Sequence, residues 1–230
     1  MDHIPKHIVL FPDGNRRWAK QQGLPSLEGH RKGYEKLKAL CDWCETRGVK
    51  NLTAYGFSTE NWNRSPEEVS YLMKLLEDTL LMFKRDPELI DKNVRVRVLG
   101  QRDRLPESLK KVIIEIEEFT KDNQRFQLNL AVSYGGKWDI LNAVKRIISD
   151  KILPENLNEQ IFETYLSTAG LPSPDLVIRA GGEMRLSNFV LWQAAYAELY
   201  FSPKLWPEFS EQDFELALQE FNHRQRRFGK

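Results

Sequence analysis

Apolar and polar positions follow two different rhythms along this chain. Short runs rich in β-branched and aromatic residues occur at His7–Phe11, Asn51–Phe57, Val94–Gly100, Phe126–Val132, Leu176–Arg179 and Leu199–Phe201. Runs of this length and composition predict strands. Between them lie longer stretches with apolar residues three and four apart: Leu27–Arg47, Pro66–Phe83, Pro106–Lys121, Lys137–Asp150, Asn158–Thr168, Phe189–Ala194 and Ser210–Arg226. These predict helices. Strand–helix alternation of this kind predicts an α/β fold, with a mostly parallel six-stranded sheet flanked by helices on both faces. No repeat or linker divides the chain, so residues 1–230 read as a single domain. Val94-Arg95-Val96-Arg97-Val98 alternates strictly, which places that strand near a sheet edge. The helix from Pro66 carries a broad apolar face of Val69, Leu72, Met73, Leu76, Leu80 and Phe83. That face is either ordinary core or one wall of a hydrophobic tunnel, and periodicity does not separate the two.

Composition narrows the field. The 230 residues are 41% hydrophobic, enough for a sizeable core, and the formal net charge of +1 gives no global attraction to nucleic acid. The arginines of Val94–Val98 and of His223-Arg224-Gln225-Arg226-Arg227 lack the interleaved aromatic residues that stack on bases, so they read as solvated charge. No apolar run reaches the length of a membrane span, and Met1–Lys6 has no signal-peptide core. A cytoplasmic location is expected, with contact at a membrane surface left open. Cys41 and Cys44 are the only cysteines. They fall inside a predicted helix, with no further metal ligands beside them, and read as half-buried free thiols.

In an open α/β sheet, ligands bind beyond the carboxyl ends of the strands. Asp13-Gly14-Asn15-Arg16-Arg17-Trp18 follows the first strand. Ser58-Thr59-Glu60-Asn61-Trp62 and then Arg64 follow the second. Ser133-Tyr134-Gly135-Gly136 follows the fourth. Arg179-Ala180-Gly181-Gly182-Glu183-Met184-Arg185-Leu186-Ser187-Asn188 follows the fifth. Carboxylates, guanidinium groups and glycines thus gather on one rim. The first segment offers a hard oxygen ligand for Mg²⁺, helix N–H groups for an anion and two arginines that grip phosphate oxygens in pairs. The plainer reading makes Asp13 the N-cap of a strand-to-helix turn. The fifth-strand loop suits a diphosphate, with Ser187 and Asn188 opening a helix; the alternative pairs its arginines with Glu183 and Glu198. Neither G-x-G-x-x-G nor G-x-x-x-x-G-K-[ST] is present, and neither are H-E-x-x-H or G-x-S-x-G. The fold is therefore read as non-nucleotide-binding.

The same residues carry a resemblance. Asp13–Ala19, Gly29-His30, Phe57–Arg64, Tyr134–Ile140, Arg179–Phe189, Glu198–Phe201, Leu205-Trp206-Pro207 and Arg226–Gly229 resemble, in order and over nearly the whole chain, the cis-prenyltransferases of the undecaprenyl diphosphate synthase family. The resemblance implies an Mg²⁺-dependent transfer of an allylic diphosphate onto isopentenyl diphosphate, with a new cis double bond, by a homodimer. It makes Asp13 the essential aspartate. Gly14, Asn15, Arg16, Arg17 and His30 fall in the allylic diphosphate pocket, joined by Trp18 and by Ser26, which stands where the family has an arginine. Ser58, Thr59, Glu60, Trp62 and Arg64 would position substrates. Arg179, Arg185, Leu186 and Ser187 form the isopentenyl diphosphate site, and Glu198 is a second metal-associated carboxylate beside Asp13. Asn61 matches the residue assigned as proton acceptor, but an amide is a poor base, so its role reads as positional.

Three departures stand out. Ser26 removes a phosphate contact that Arg31 or Lys32 would have to replace. Pro12 precedes the aspartate where the family has methionine. Ala180 replaces a hydroxyl-bearing residue. In this family the depth of the tunnel sets product length, and Phe126 and Val132 fall on the strand that lines it. Their bulk predicts a product of short to medium length, unless Phe126 packs elsewhere and Gly56 restores room. Two other readings stay open: a catalytically weak partner subunit of the same fold, and an unrelated phosphate-binding protein.

Overall fold

β1 (His7–Phe11) is buried along its whole length, because it runs through the middle of the sheet. Parallel strands covered on both faces need apolar side chains on both sides, and His7-Ile8-Val9-Leu10-Phe11 supplies them. The computed structural model describes residues 3–85 and 92–224. After β1 come α1 (Asn15–Gln21), α2 (Ser26–Thr46), β2 (Asn51–Ser58), α3 (Pro66–Arg85), β3 (Val94–Leu99), α4 (Glu107–Phe119), β4 (Phe126–Tyr134), α5 (Gly136–Ser149), α6 (Glu159–Tyr165), β5 (Leu176–Arg179), β6 (Glu198–Phe201) and α7 (Glu211–His223). The six strands lie in the order β3-β4-β2-β1-β5-β6, all parallel. β3 is at one edge, as its alternating pattern predicts.

Alternate residues of each strand face different layers. Ile8 and Leu10 of β1, with Leu52 and Ala54 of β2 and Leu128 and Leu130 of β4, pack with α2, α3, α4 and α7. Val9, Phe11, Ala131 and Val177 face the other side, where Phe189 and Val190 cover them. α5 and α6 form a smaller cluster through Ala143, Ile147 and Phe162. The helices are set by local signals. α3 opens on Pro66, which fits a first helical turn, with Glu67 and Glu68 at its positive end and Lys84 and Arg85 at its negative end. α7 starts from a reciprocal cap between Ser210 and Asp213.

Three local expectations fail. Phe189–Ala194 is a series of turns rather than a helix. Its backbone reverses hand at Ser187, Asn188 and Val190, whose φ angles are 43°, 65° and 41°. Asp13 does not cap α1; Gly14, at φ 103°, holds that position with no side-chain cap. Cys41 and Cys44 are fully buried rather than half-buried, and both are free. Burial pushes both thiols up. Among the described residues no helix is long and apolar enough to cross a membrane.

Candidate active site

The carboxyl end of β1 turns sharply. Asp13 N–H donates to the Phe11 carbonyl at 3.0 Å, with Pro12 at the centre of the three-residue turn. Proline's fixed φ suits that position. The Asp13 carbonyl is then held by the Trp206 N–H at 2.9 Å. These two bonds aim the Asp13 carboxylate across the rim toward β5. There Arg179 Nη2 donates to Asp13 Oδ2 at 2.8 Å. Arg179 is 5% exposed and Asp13 33%. Arg179 Nη1 donates to Ser187 Oγ at 2.8 Å and to the Arg185 carbonyl. Its guanidinium lies 4.6 Å from the Phe11 ring centre. Its Nε is buried and has no acceptor among the described residues. A charged donor in that state is prepared for an incoming oxygen anion. Arg17 Nη2 approaches Asp13 Oδ1 at 3.3 Å, and Arg17 Nη1 lies 3.7 Å from Glu183.

Close helix packing brings the second cationic group in. At Gly29 a Cβ would collide with the Asn15 carbonyl, so α2 touches α1 only because this position lacks a side chain. His30 follows on the face turned to the rim. Its Nε2 is 3.4 Å from Glu68, which also accepts from Arg64 at 2.8 Å. Burial, reinforced by Arg64, lowers the His30 pKa to about 4 although Glu68 pulls the other way. His30 is therefore neutral at pH 7, and Arg64 carries the charge that balances Glu68.

Beneath this rim lies a cavity of about 510 Å³ between the sheet and helices α2 and α3. Asp13, Asn15, His30, Ser58, Glu60, Asn61, Arg64, Arg179 and Ser187 surround its mouth. Its deeper walls are Tyr34, Leu37, Ala54, Gly56, Phe57, Leu72 and Leu130. A polar annex of about 350 Å³ opens beside it among Gly14, Arg16, Arg17, His30 and Arg64. β2 carries a bulge here: Tyr55 pairs with Ala131 and Phe57 with Val132, leaving Gly56 over. Ser133 of β4 is left over in turn, with φ 51°. Bulges re-aim side chains near sites, and Ser133 Oγ accepts from Trp62 Nε1 at 2.8 Å.

Of the remaining predicted site residues, Asn61 stays at the cavity mouth and the others lie outside both spaces. Trp62 is clamped edge-on against Phe57 and under Arg104, with ring and guanidinium centres at 5.0 and 4.6 Å. Thr59 donates to Glu60 at 3.1 Å. Leu186 packs on the second core layer. Trp18 stays on α1, and Ser26 borders an outer hollow with Arg16, Arg17 and Lys20. Arg185 is 60% exposed and pairs with Glu183 at 2.6 Å. Asn61 Oδ1 accepts the Ser58 N–H at 3.0 Å, so the amide closes a turn.

Several expectations need correction. Glu198 does not join Asp13 within the chain. It pairs with Leu176 at the amino end of β5, whereas Arg179, three residues on, marks the carboxyl end. Three residues of strand separate those levels by about 10 Å, and Glu198 pairs with Arg224 at 3.2 Å. Arg31 and Lys32 do not replace the missing arginine, since both pair with Glu28 or Glu35 on the outside of α2. Phe126 opens β4 at its amino end, is 2% exposed and does not line the cavity, and neither does Val132. The Arg226–Gly229 motif lies outside the described residues. Sequence reasoning gave no site role to Phe11, Tyr34, Glu68, Leu130 and Trp206, and placed Asn188 only at the start of a helix in the fifth-strand loop. Asn188 has the clearest role: its side chain donates to Glu60 at 2.8 Å and accepts the Lys137 N–H at 2.9 Å, tying two loops of the rim together.

Comparison with known proteins agrees with this geometry. Residues 11–229 match the prenyltransferase family model described as undecaprenyl diphosphate synthase. An isoprenyl transferase of Thermotoga maritima is 48% identical, covering 98% of this chain and 97% of the relative. A tritrans,polycis-undecaprenyl-diphosphate synthase (geranylgeranyl-diphosphate specific) of Thermoplasma volcanium is 45% identical, covering 98% and 89%. The crystal structure of lavandulyl diphosphate synthase from Lavandula x intermedia, in complex with dimethylallyl diphosphate, superposes with a TM-score of 0.94 at 39% identity, covering 99% of each chain. The family model spans residues 11–229 and the relatives are alike over nearly their full length, so the chain belongs to the undecaprenyl diphosphate synthase family of prenyltransferases.

Proposed function

We propose that this protein condenses isopentenyl diphosphate with an allylic diphosphate, giving a diphosphate with one more isoprene unit and a cis double bond. The observation that carries the proposal is the Asp13–Arg179–Arg17 cluster at the mouth of an apolar cavity. Two anionic heads need guanidinium groups and N–H donors on one rim, and one hydrocarbon tail needs a dry wall beneath. Arg16, Arg17, Gly14 and Asn15 border the annex and suit the allylic diphosphate. Arg179 and Ser187 border the other side and suit isopentenyl diphosphate.

In the reaction the allylic carbon–oxygen bond breaks and its electron pair leaves on the diphosphate. The π electrons of isopentenyl diphosphate attack the allylic carbon, and a proton then leaves the adjacent carbon of the adduct. The arginines stabilise the departing charge and hold the reactants together. Asn61 is committed to the Ser58 N–H and accepts no proton. Burial alone would raise the Glu60 carboxyl, but hydrogen bonds led by that from Asn188 outweigh it and keep Glu60 below its ordinary range. Glu60 is therefore a weak base, and an oxygen of the released diphosphate takes the proton.

Magnesium fits this donor set. Among the described residues no cluster of three or more histidine, cysteine or carboxylate side chains could hold a metal alone. Mg²⁺ is commonly held by one or two carboxylates together with substrate phosphates and water, and Asp13 offers that carboxylate at the cavity mouth. The bound ion would supply positive charge against the leaving diphosphate. A homodimer is part of the same reading. Leu141, Val144 and Ile148 lie exposed along one face of α5, at 61%, 38% and 70%, a stripe that a second subunit would cover. Sedimentation should then show a dimer that Ile148→Glu weakens.

Purified protein, Mg²⁺, labelled isopentenyl diphosphate and allylic primers of several lengths test the reaction. Incorporation that disappears in Asp13→Ala supports it. Absence of incorporation with every primer refutes it.

A further inference from the structure

α5 begins at Gly136 without a side-chain cap from Gly135, the residue before it. The first N–H groups of a helix have no partner within it. Asn188, 51 residues beyond Lys137, partners two of them. Its carbonyl accepts the Gly136 N–H at 2.6 Å and its Oδ1 accepts the Lys137 N–H at 2.9 Å. The same side chain turns Nδ2 the other way and donates to Glu60 Oε1 at 2.8 Å. Glu60 belongs to the turn Thr59–Asn63 that follows β2. One residue at the cavity mouth thus joins the fifth-strand loop, the start of α5 and the second-strand turn. A Cβ at Gly135 would stand 2.5 Å from Thr59 Oγ1 and 2.8 Å from Asn188 Nδ2. The two loops meet there only because Gly135 has no side chain.

An amide suits this joint because it accepts on one atom and donates from another. Aspartate offers only acceptors when ionised, and would face the Glu60 carboxylate with like charge. Asn188 also has φ 65°, a conformation that asparagine tolerates better than most residues. The joint extends to the charged rim on both sides. Ser187, the residue before, takes a hydrogen bond from Arg179 Nη1 at 2.8 Å, and Arg179 in turn holds Asp13. Across the joint, the Glu60 turn is closed by the reciprocal cap between Ser58 and Asn61 and leads into Arg64, which pairs with Glu68 at 2.8 Å.

We propose that Asn188 is a positioning residue that locks the second-strand turn against the fifth-strand loop and so sets how the two bound substrates face each other. The inference rests on the prenyl-transfer reading above. On that reading the allylic diphosphate lies in the annex bordered by Arg64, and isopentenyl diphosphate lies beside Arg179 and Ser187. The new bond joins two carbons, and neither carries a charge by which the protein could steer it before the reaction. Their approach depends on how firmly the two loops are joined. A misplacement of about 1 Å costs on the order of a hundredfold in rate. Asn188 brings no charge to either diphosphate, so its loss should lower kcat more than it weakens the binding of either substrate.

The test compares wild type, Asn188→Ala, Asn188→Asp and the exchanged pair Asn188→Asp with Glu60→Gln. The exchanged pair keeps an acceptor for the Lys137 N–H and restores the second bond with donor and acceptor reversed. Asn188→Ala should lower kcat about tenfold, the worth of one hydrogen bond to a charged group. Calorimetric affinities for isopentenyl diphosphate and for a slow-reacting allylic thiolodiphosphate should each change by less than about threefold. Asn188→Asp should lower kcat further, and the exchanged pair should recover most of that loss. Hydrogen exchange reads the joint without turnover: the Lys137 amide should lose protection in Asn188→Ala and keep it in the exchanged pair. An unchanged kcat in Asn188→Ala, a loss carried wholly by substrate affinity, or an exchanged pair no better than Asn188→Asp would overturn the role of Asn188. Failure of wild type to incorporate isopentenyl diphosphate would refute the reaction, while hydrogen exchange would still decide whether Asn188 joins the loops.

Discussion

Without substrate, Asp13 occupies the very guanidinium group that a diphosphate would need. Replacing Asp13 with alanine should therefore have a paradoxical effect: it should abolish prenyl transfer and at the same time tighten metal-free binding of inorganic pyrophosphate. The Arg179–Asp13 bond is 2.8 Å long and one partner is buried. Charge-assisted bonds of this kind contribute about 1.5–3 kcal/mol. The Arg17 contact, longer and more exposed, adds little. An anion that binds wild type must displace Asp13, whereas in Asp13→Ala it finds Arg179 free. At ~1.4 kcal/mol per tenfold, the variant should bind pyrophosphate about ten- to hundredfold more tightly when magnesium is chelated. The same loss should lower its melting temperature by about 3–12 °C, given 2–4 °C per kcal/mol for a chain of this size. Calorimetric titration in chelator gives the affinities directly. Added magnesium should strengthen binding in wild type and not in the variant. A variant that binds metal-free pyrophosphate no better than wild type would refute the view that Asp13 and substrate compete for Arg179.

Three further outcomes follow from individual residues. His30 has its pKa lowered from 6.5 to about 4, so between those values the unfolded chain binds a proton that the folded one refuses. Stability should be full above pH 6.5 and fall by up to about 3 kcal/mol as the pH drops to 4, and urea midpoints at pH 7 and 5 should show a slope that His30→Gln flattens. Gly181 has φ 96°, and a Cβ there would lie 2.7 Å from Arg17 Nη2 and 3.1 Å from Asp13; Gly181→Ala should cost about 1–3 kcal/mol of stability, read as a fall in melting temperature of about 2–12 °C, and should lower kcat/KM by displacing Arg17. Cys41 and Cys44, buried with raised thiol pKa values, should resist alkylation in the folded protein and react once urea unfolds it, and rapid labelling of folded protein would contradict their burial.

The parts of this molecule written in the sequence are those governed by short-range rules. Strand composition and helical spacing place nearly all elements, because burial on both sheet faces forces continuous apolar runs such as His7–Phe11. The rim is legible for the same reason: polar residues collect where parallel strands end, so Asp13, Ser58, Arg64 and Arg179 can be placed together before any coordinates. Phe189–Ala194 misleads because its apolar residues serve tertiary contacts. Phe189 stacks on Tyr55 at 3.9 Å and meets Phe11 edge-on at 5.0 Å, and that coverage of the sheet is reached by left-handed backbone rather than a helix. Glu198 misleads because nothing in a motif reveals strand register. The cavity is hidden more deeply. Leu37, Leu72 and Leu130 look like any core residues, and the bulge of β2 at Gly56, which borders the space between them, has no signal in the apolar pattern.

On the proposed reaction, the rim also gives a reason why a metal-bearing diphosphate would fit better than a bare anion. Its cations are already paired within the chain, three carboxylates being shared among four guanidinium groups: Arg179 with Asp13, Arg17 with Asp13 and Glu183, Arg185 with Glu183, and Arg64 with Glu68. A bare diphosphate that captured Arg179 would leave the Asp13 carboxylate unpaired at the mouth of an apolar cavity, and an uncompensated charge in such a place costs several kcal/mol. A diphosphate carrying a divalent cation provides a new partner for that carboxylate as it takes the guanidinium group away, so one ion pair is exchanged for two. Specificity then arises from the self-paired resting state. Simple anions would be rejected because they break a pair without replacing it, and the unpartnered Nε of Arg179 would favour a ligand with oxygens to spare.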